Sequence, residues 1–105
     1  MNTYQEVLDA LGDGTRRQIL ELLRRGPRPV GAIAAELPVS RPAVSQHLRV
    51  LEAVRLVRHR RDGTRHVYAL DPDGLSGLRA WVEGFWEDAL ARFADAAERR
   101  AKEES

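Results

Sequence analysis

Residues 30–57 read VGAIAAELPVSRPAVSQHLRVLEAVRLV, and the punctuation inside this stretch decides the fold. Val30 to Leu37 predicts a helix of about two turns, closed by Pro38. Ser40 then stands as an N-cap ahead of Arg41 and Pro42, with proline in the first turn, where no intrahelical donor is lost. The helix it opens runs to about Val54. Two short helices joined through Pro38 and Val39 are the sequence form of a helix-turn-helix, spanning 30–54. At about 100° per residue, Val44, Leu48 and Leu51 fall within about 60° of one another and face inward, while Pro42, Ser45, Gln46 and Arg49 share the opposite side. That outer face carries no acid. A solvated face favours Glu and Lys pairs, whereas this one offers a ring, a hydroxyl, an amide and a guanidinium. Glutamine can bond adenine bidentately, arginine can bond guanine, and proline or a serine methylene can touch a thymine methyl. The face therefore reads as one that enters a major groove, against the plainer alternative of an ordinary polar surface.

Beyond this stretch, 56–70 changes pattern. LVRHRR and RHVYAL, set around Asp62-Gly63, predict a two-stranded hairpin. Arg58, Arg60, Arg61 and Arg65 gather near its tip, so it reads as a wing lying along phosphates or reaching a minor groove. The alternative is a solvated edge whose arginines block aggregation. Placement of charge favours the wing. Residues 39–70 hold seven arginines against Glu52 and Asp62, while 71–105 hold nine acids against five bases, although the whole chain carries only +1. With Asp62-Gly63 as a two-residue turn, His59 and His66 become directly opposed on one face. Two wing histidines could change DNA affinity with pH, or hold a metal with outside ligands, but no third ligand is near in sequence and none is assigned. His47, about 60° from the inward stripe, reads as a half-buried, hydrogen-bonded residue.

Upstream, Tyr4, Val7, Leu8 and Leu11 mark a short amphipathic helix within 1–11. A second follows with Ile19, Leu20, Leu22 and Leu23 as its stripe, capped by Asp13 or Thr15 and stopped by Gly26-Pro27. Downstream, Asp71-Pro72-Asp73 opens a long helix through about Arg100, with AKEES as a frayed tail. Leu78, Trp81, Val82, Phe85, Trp86, Ala89, Leu90 and Phe93 span about 180° of that helix, more than the ~100° stripe a surface helix needs. It is also roughly 37 Å long over Leu75 to Arg99, too long for a small domain to cover. The helices at 1–11 and 72–100 are thus expected to pair with a second copy through Tyr4, Leu8, Leu78, Trp81, Val82, Phe85, Trp86, Ala89 and Phe93. The competing reading is a ligand pocket lined by Trp81, Phe85, Trp86 and Phe93. Gly77 and Gly84 have no account at this level.

At 105 residues, with 43% hydrophobic and 31% charged residues, the chain suits a single small domain, 1–105. The absence of cysteine removes disulfides, thiolate nucleophiles and cysteine-based metal sites. Without a signal-like N-terminus or a run of ~20 apolar residues, the expected location is cytoplasmic, with no membrane partner. No phosphate loop, catalytic triad or paired carboxylates are spaced for catalysis, so neither an enzyme nor a cofactor is expected.

Together, LGDGTRRQILELL at 11–23, the stretch at 30–57 and RRDGTRHVYAL at 60–70 resemble the ArsR/SmtB family of winged-helix bacterial transcriptional repressors. The resemblance covers essentially the whole chain. It implies a homodimer on double-stranded DNA, blocking transcription from a palindromic operator and often controlling its own operon. It also maps DNA contacts onto Val30, Arg41, Pro42, Ser45 and Gln46. The departures are equally informative. VGAIAAEL holds no Cys and 71–100 holds no His, so the family's two familiar metal sites cannot be assembled. SRPAVSQHL and the aromatic segment Gly84 to Phe93 instead resemble its metal-independent branch. The expected architecture is mainly α with a small β-hairpin, a winged helix-turn-helix with a long C-terminal dimerisation helix. DNA-facing residues are Val30, Ser40, Arg41, Pro42, Ser45, Gln46, Arg49, Arg60, Arg61 and Arg65. Two rival readings remain open, a protein-interaction module and a nonspecific nucleic-acid binder.

Overall fold

The computed structural model describes residues 4–104; the first three residues and the last, which the expected 1–11 helix and 1–105 domain include, lie outside them. Helix α1 (Tyr4–Leu11) and α2 (Gly14–Leu23) are followed by a two-residue strand β1 (Arg28–Pro29). Then come α3 (Val30–Ala35), α4 (Arg41–Ala53), β2 (Val57–Asp62), β3 (Arg65–Leu70) and α5 (Pro72–Glu104). Local chemistry sets the boundaries. Asp13 caps α2 by accepting from the Arg16 amide at 3.0 Å, and Ser40 caps α4 by accepting from the Ala43 amide at 3.3 Å.

The core forms where α2, α3, α4 and the strands converge. Ile19, Ile33, Val44, Leu48, Leu51 and Leu56 are completely buried, and no polar residue among those described is buried with them. The inward stripe expected for α4 is thus the one observed. Along α2, Ile19 and Leu23 are buried while Leu20 and Leu22 are half-buried against the same cluster.

Four expectations are corrected. The hairpin is part of a three-stranded antiparallel sheet in the order β1-β3-β2, because Arg28 and Pro29 pair with Tyr68 and Val67. The turn is one residue further on than expected: Asp62 pairs with Arg65, leaving Gly63 and Thr64 as the loop. Gly63 adopts φ 63°, which favours glycine at the first of two loop positions. His59 consequently lies opposite Tyr68, not His66, and the two histidines are diagonal neighbours. The third helix ends at Ala35, a turn and a half long. Lastly, α5 continues to Glu104 with no frayed AKEE segment. Ala, Glu, Lys and Arg dominate there, and Glu98–Lys102, Arg99–Glu103 and Arg100–Glu104 are spaced i,i+4 with opposite charge.

A close backbone approach fixes the start of α5. Arg55 turns the chain out of α4 with φ 62°, and Gly74 lies so near that a Cβ there would fall 1.9 Å from the Arg55 carbonyl oxygen. The Asp71 amide donates to the Leu56 carbonyl at 2.9 Å, and the Asp71 carboxylate accepts from the Asp73 amide at 3.0 Å. From this anchor α5 runs past α1 and out of the body, giving a molecule of 71 × 29 × 21 Å.

Candidate nucleic-acid interface

Helix α4 carries its core stripe on one side and an open polar face on the other. Arg41, Pro42, Gln46 and Arg49 are exposed and Ser45 is half-buried. The Arg49 guanidinium approaches Gln46 Oε1 at 3.4 Å, so the two side chains lie side by side and present donors and an acceptor together. Ser40 uses its oxygen as the cap acceptor, which leaves its hydroxyl proton to donate outward. Arg41 reaches back over α3, its guanidinium about van der Waals distance from where a Gly31 Cβ would stand.

Val30 does not join this face. It is the first residue of α3 and packs into the core with Ile33, leaving it 9% exposed, so its side chain is unavailable to DNA. Position within the motif suggested it; a valine that opens a helix over a hydrophobic centre is drawn inward.

In the wing, alternation puts Arg58 and Arg60 on one face and His59 and Arg61 on the other. Arg58 and Arg60, with Pro27, Val67 and Ala69, flank an open 290 Å³ cavity. Arg61 Nε donates to the Gly63 carbonyl at 3.1 Å, folding over the turn, and Arg65 is 3.8 Å from Asp62. Such an exposed pair contributes little and exchanges readily for phosphate.

Helix and wing meet in a polar cluster that sequence reasoning missed in part. His59 Nδ1 lies 2.5 Å from Glu52 Oε2, and the His59 ring stacks on Tyr68 at 5.0 Å. Burial, reinforced by the Glu52 charge and opposed by Arg49, pushes the Tyr68 phenol above its ordinary range. Only the wing histidines had been singled out; the seven-residue separation of Glu52 and His59 gives no local signal. On the other side of α4, half-buried His47 stands 3.8 Å from Asp13. The Arg16 amide that donates to Asp13 holds its carboxyl below the usual value, with His47 adding to the effect against desolvation.

The aromatic residues of α5 divide. Tyr4 stacks on Trp81 with ring centroids 5.1 Å apart, Trp81 meets Phe85 edge-on at 4.7 Å, and Leu78 packs on the core. Leu8 is half-buried on α1. Val82, Phe85, Trp86, Ala89 and Phe93 stay exposed, Trp86 at 67% and Phe93 at 74%. Leu90, omitted from the expected pairing face, is exposed beside them. Val82, Glu83, Phe85, Trp86 and Ala89 border an open apolar groove along one side of the helix, which is not an enclosed pocket of the kind that buries a small molecule. Among the described residues no helix is long and apolar enough to cross a membrane.

A helix-turn-helix whose second helix presents an exposed, acid-free face, flanked by an arginine-bearing hairpin, defines a winged-helix DNA-binding regulator. Comparison with known proteins agrees. Residues 13–59 match the family described as bacterial regulatory protein, arsR family. The chain is 55% identical over 97 residues to the HTH-type transcriptional regulator Rv2034 of Mycobacterium tuberculosis, covering 90% of this chain and 91% of that protein. It is 34% identical to the transcriptional repressor SdpR of Bacillus subtilis, covering 75% and 88% respectively. Its fold is similar to the homodimeric winged helix-turn-helix DNA-binding domain of Mb0332 from Mycobacterium bovis. That match has a TM-score of 0.65 and 35% identity, and covers 84% of this chain and 82% of that one. This chain therefore belongs to the ArsR family of bacterial transcriptional regulators, a DNA-binding family and not an enzymatic one.

Proposed function

We propose that two copies pair through α1 and α5 and bind a palindromic operator as a transcriptional repressor in the bacterial cytoplasm. In this reading Gln46, Arg49, Pro42 and Ser45 contact bases, while Ser40, Arg41, Arg60, Arg61 and Arg65 hold phosphates. The observation that carries it is the exposed, acid-free face of α4 beside the basic wing. Pairing is supported by shape. A chain of 11.8 kDa folded compactly exposes roughly 5,900 Å², yet this one exposes 7608 Å². Its radius of gyration is 19.5 Å, against roughly 13 Å for a compact domain of this length. The excess lies in α5, whose apolar side a second copy would cover. A homodimeric neighbour and a relative named as a repressor point the same way. A twofold dimer would place two α4 helices in successive major grooves, about 34 Å apart, so the site should be an imperfect palindrome.

The test is fluorescence anisotropy on DNA upstream of the protein's own coding sequence against a scrambled duplex, titrated in salt. The expected result is at least ~10³-fold preference, with a salt slope reporting several phosphates per dimer. Equal weak binding to both would point to a protein-interaction module, and a steep slope without preference to a nonspecific binder.

A further inference from the structure

The best-defined polar contact that the proposed DNA interface leaves unused lies where the wing meets α4. His59 leaves β2 on the face turned toward that helix, bonded to Glu52, stacked on Tyr68, and with its ring 5.4 Å from that of His66. Both side chains of the bonded pair are 35% exposed, shielded enough to hold a geometry yet open to solvent protons. His59, His66 and Glu52 do not form a set that could hold a metal. We infer that His59 and Glu52 are a positioning pair for DNA binding: their bond sets the wing against α4, and protonation of the imidazole tightens it and strengthens operator binding in mild acid.

The inference rests on the DNA-binding reading above. A neutral imidazole carrying its proton on Nδ1 already donates to the carboxylate, so the brace exists at neutral pH. An imidazolium turns that ion–dipole contact into a salt bridge between two full opposite charges, and imidazole is the side chain whose charge ordinarily changes between pH 5 and 8. The charged and titratable groups facing His59 are Glu52 and Arg49 from α4, Arg61 from its own strand, and His66 and Tyr68 from β3. The brace matters because α4 and β2 carry separate sets of DNA contacts, and a wing free to swing must be ordered on binding, which weakens affinity.

The test measures affinity at pH 6 and pH 8, at fixed ionic strength, for the upstream and scrambled duplexes. The proteins are the wild type and the His59→Gln, Glu52→Gln and His66→Gln variants, all checked for fold by circular dichroism. Wild type is expected to bind the upstream duplex about fivefold more tightly at pH 6. That ratio should fall to near one in His59→Gln and in Glu52→Gln, and survive in His66→Gln. A ratio that persists in Glu52→Gln would mean the imidazolium acts directly on phosphate, and one lost in His66→Gln would assign the titration to the wrong ring. Either result, or a wild type indifferent to pH, overturns the inference. The second readout needs no DNA: a downfield imidazole N–H proton resonance present in the wild type and lost in Glu52→Gln. Its absence in the wild type refutes the bond. Its presence, with neither duplex bound at either pH, refutes the DNA-binding reading and the positioning role with it, while the bond itself stands.

Discussion

Replacing Gly74 with alanine would drive a methyl group into the backbone of another segment. The added Cβ would lie 1.9 Å from the Arg55 carbonyl oxygen, 2.3 Å from its carbon and 2.9 Å from the Leu56 nitrogen. Backbone atoms cannot rotate away as a side-chain end can. Reaching a tolerable separation of roughly 3.2 Å requires the start of α5 to retreat by about 1.3 Å. That retreat strains the bond from the Asp71 amide to the Leu56 carbonyl, 2.9 Å long, and lifts Leu78 from the core and Trp81 from Tyr4. Overpacking of this kind costs about 3 kcal/mol at the upper end. A weakened backbone bond adds up to about 1 kcal/mol, and the better helix propensity of alanine returns about 1 kcal/mol. The net loss is about 3 kcal/mol, a fall in Tm of at least about 12 °C for a domain of this size. Gly77→Ala is the matched comparison, because nothing stands within 4 Å of its would-be Cβ. It should raise Tm by about 4 °C through propensity alone. Thermal melts followed by circular dichroism, at one protein concentration, decide the matter. A Gly74→Ala protein that melts with or above the wild type would refute the argument that this contact seats α5.

Other outcomes follow from the same geometry. Gln46→Ala should reduce discrimination between operator and scrambled DNA by about 1–3 kcal/mol, while Arg60→Ala weakens both equally and lowers the salt slope by about two, one for the arginine lost from each protomer. Anisotropy titrations on the two duplexes separate these effects, and identical behaviour of the two variants would contradict the roles given to helix and wing. Phe85→Glu should give a monomer by sedimentation velocity and weaken operator binding about 100-fold through loss of the second half-site; a monomer with full affinity would contradict the dimeric reading. For Asp13, whose carboxyl is held low in the folded chain, the stabilisation is present above the ordinary carboxylate value and disappears as pH falls through the lowered one. Asp13→Ala should therefore lower Tm at pH 7 and show a shallower decline from pH 5 to pH 3, read from melts across that range.

Much of the fold was legible because its signals are local. Pro38, Ser40 and Pro42 punctuate the helix-turn-helix within five residues, Asp13 caps the helix that begins beside it, and the 3.6-residue spacing of Val44, Leu48 and Leu51 names the buried side of α4. The open face opposite follows from the same periodicity, and the two strands of the wing were legible from the change of pattern to LVRHRR and RHVYAL around a turn signal. The aromatic side of α5 was legible too, since spacing alone shows more apolar arc than one small domain can cover.

What the tertiary structure decided depends on residues far apart in the chain. Strand β1 is two residues long and ends in proline; it exists because β3, some forty residues later, offers it a ladder. Hairpin register turned on Gly63 taking the first loop position, which moved His59 opposite Tyr68. Val30 could be placed by motif, but only the assembled core shows that its side chain is enclosed. Gly74 looks like a helix-weakening residue until the Arg55 carbonyl is found against it, and Glu52 looks like an ordinary helix acid until the wing folds back to set His59 beside it. Caps, turns and periodicity act within a few residues and are written in order along the chain. Close backbone approach, enclosure and a bond between two elements exist only once the chain has packed, and in this protein they settle how α5 is seated and how the wing meets α4.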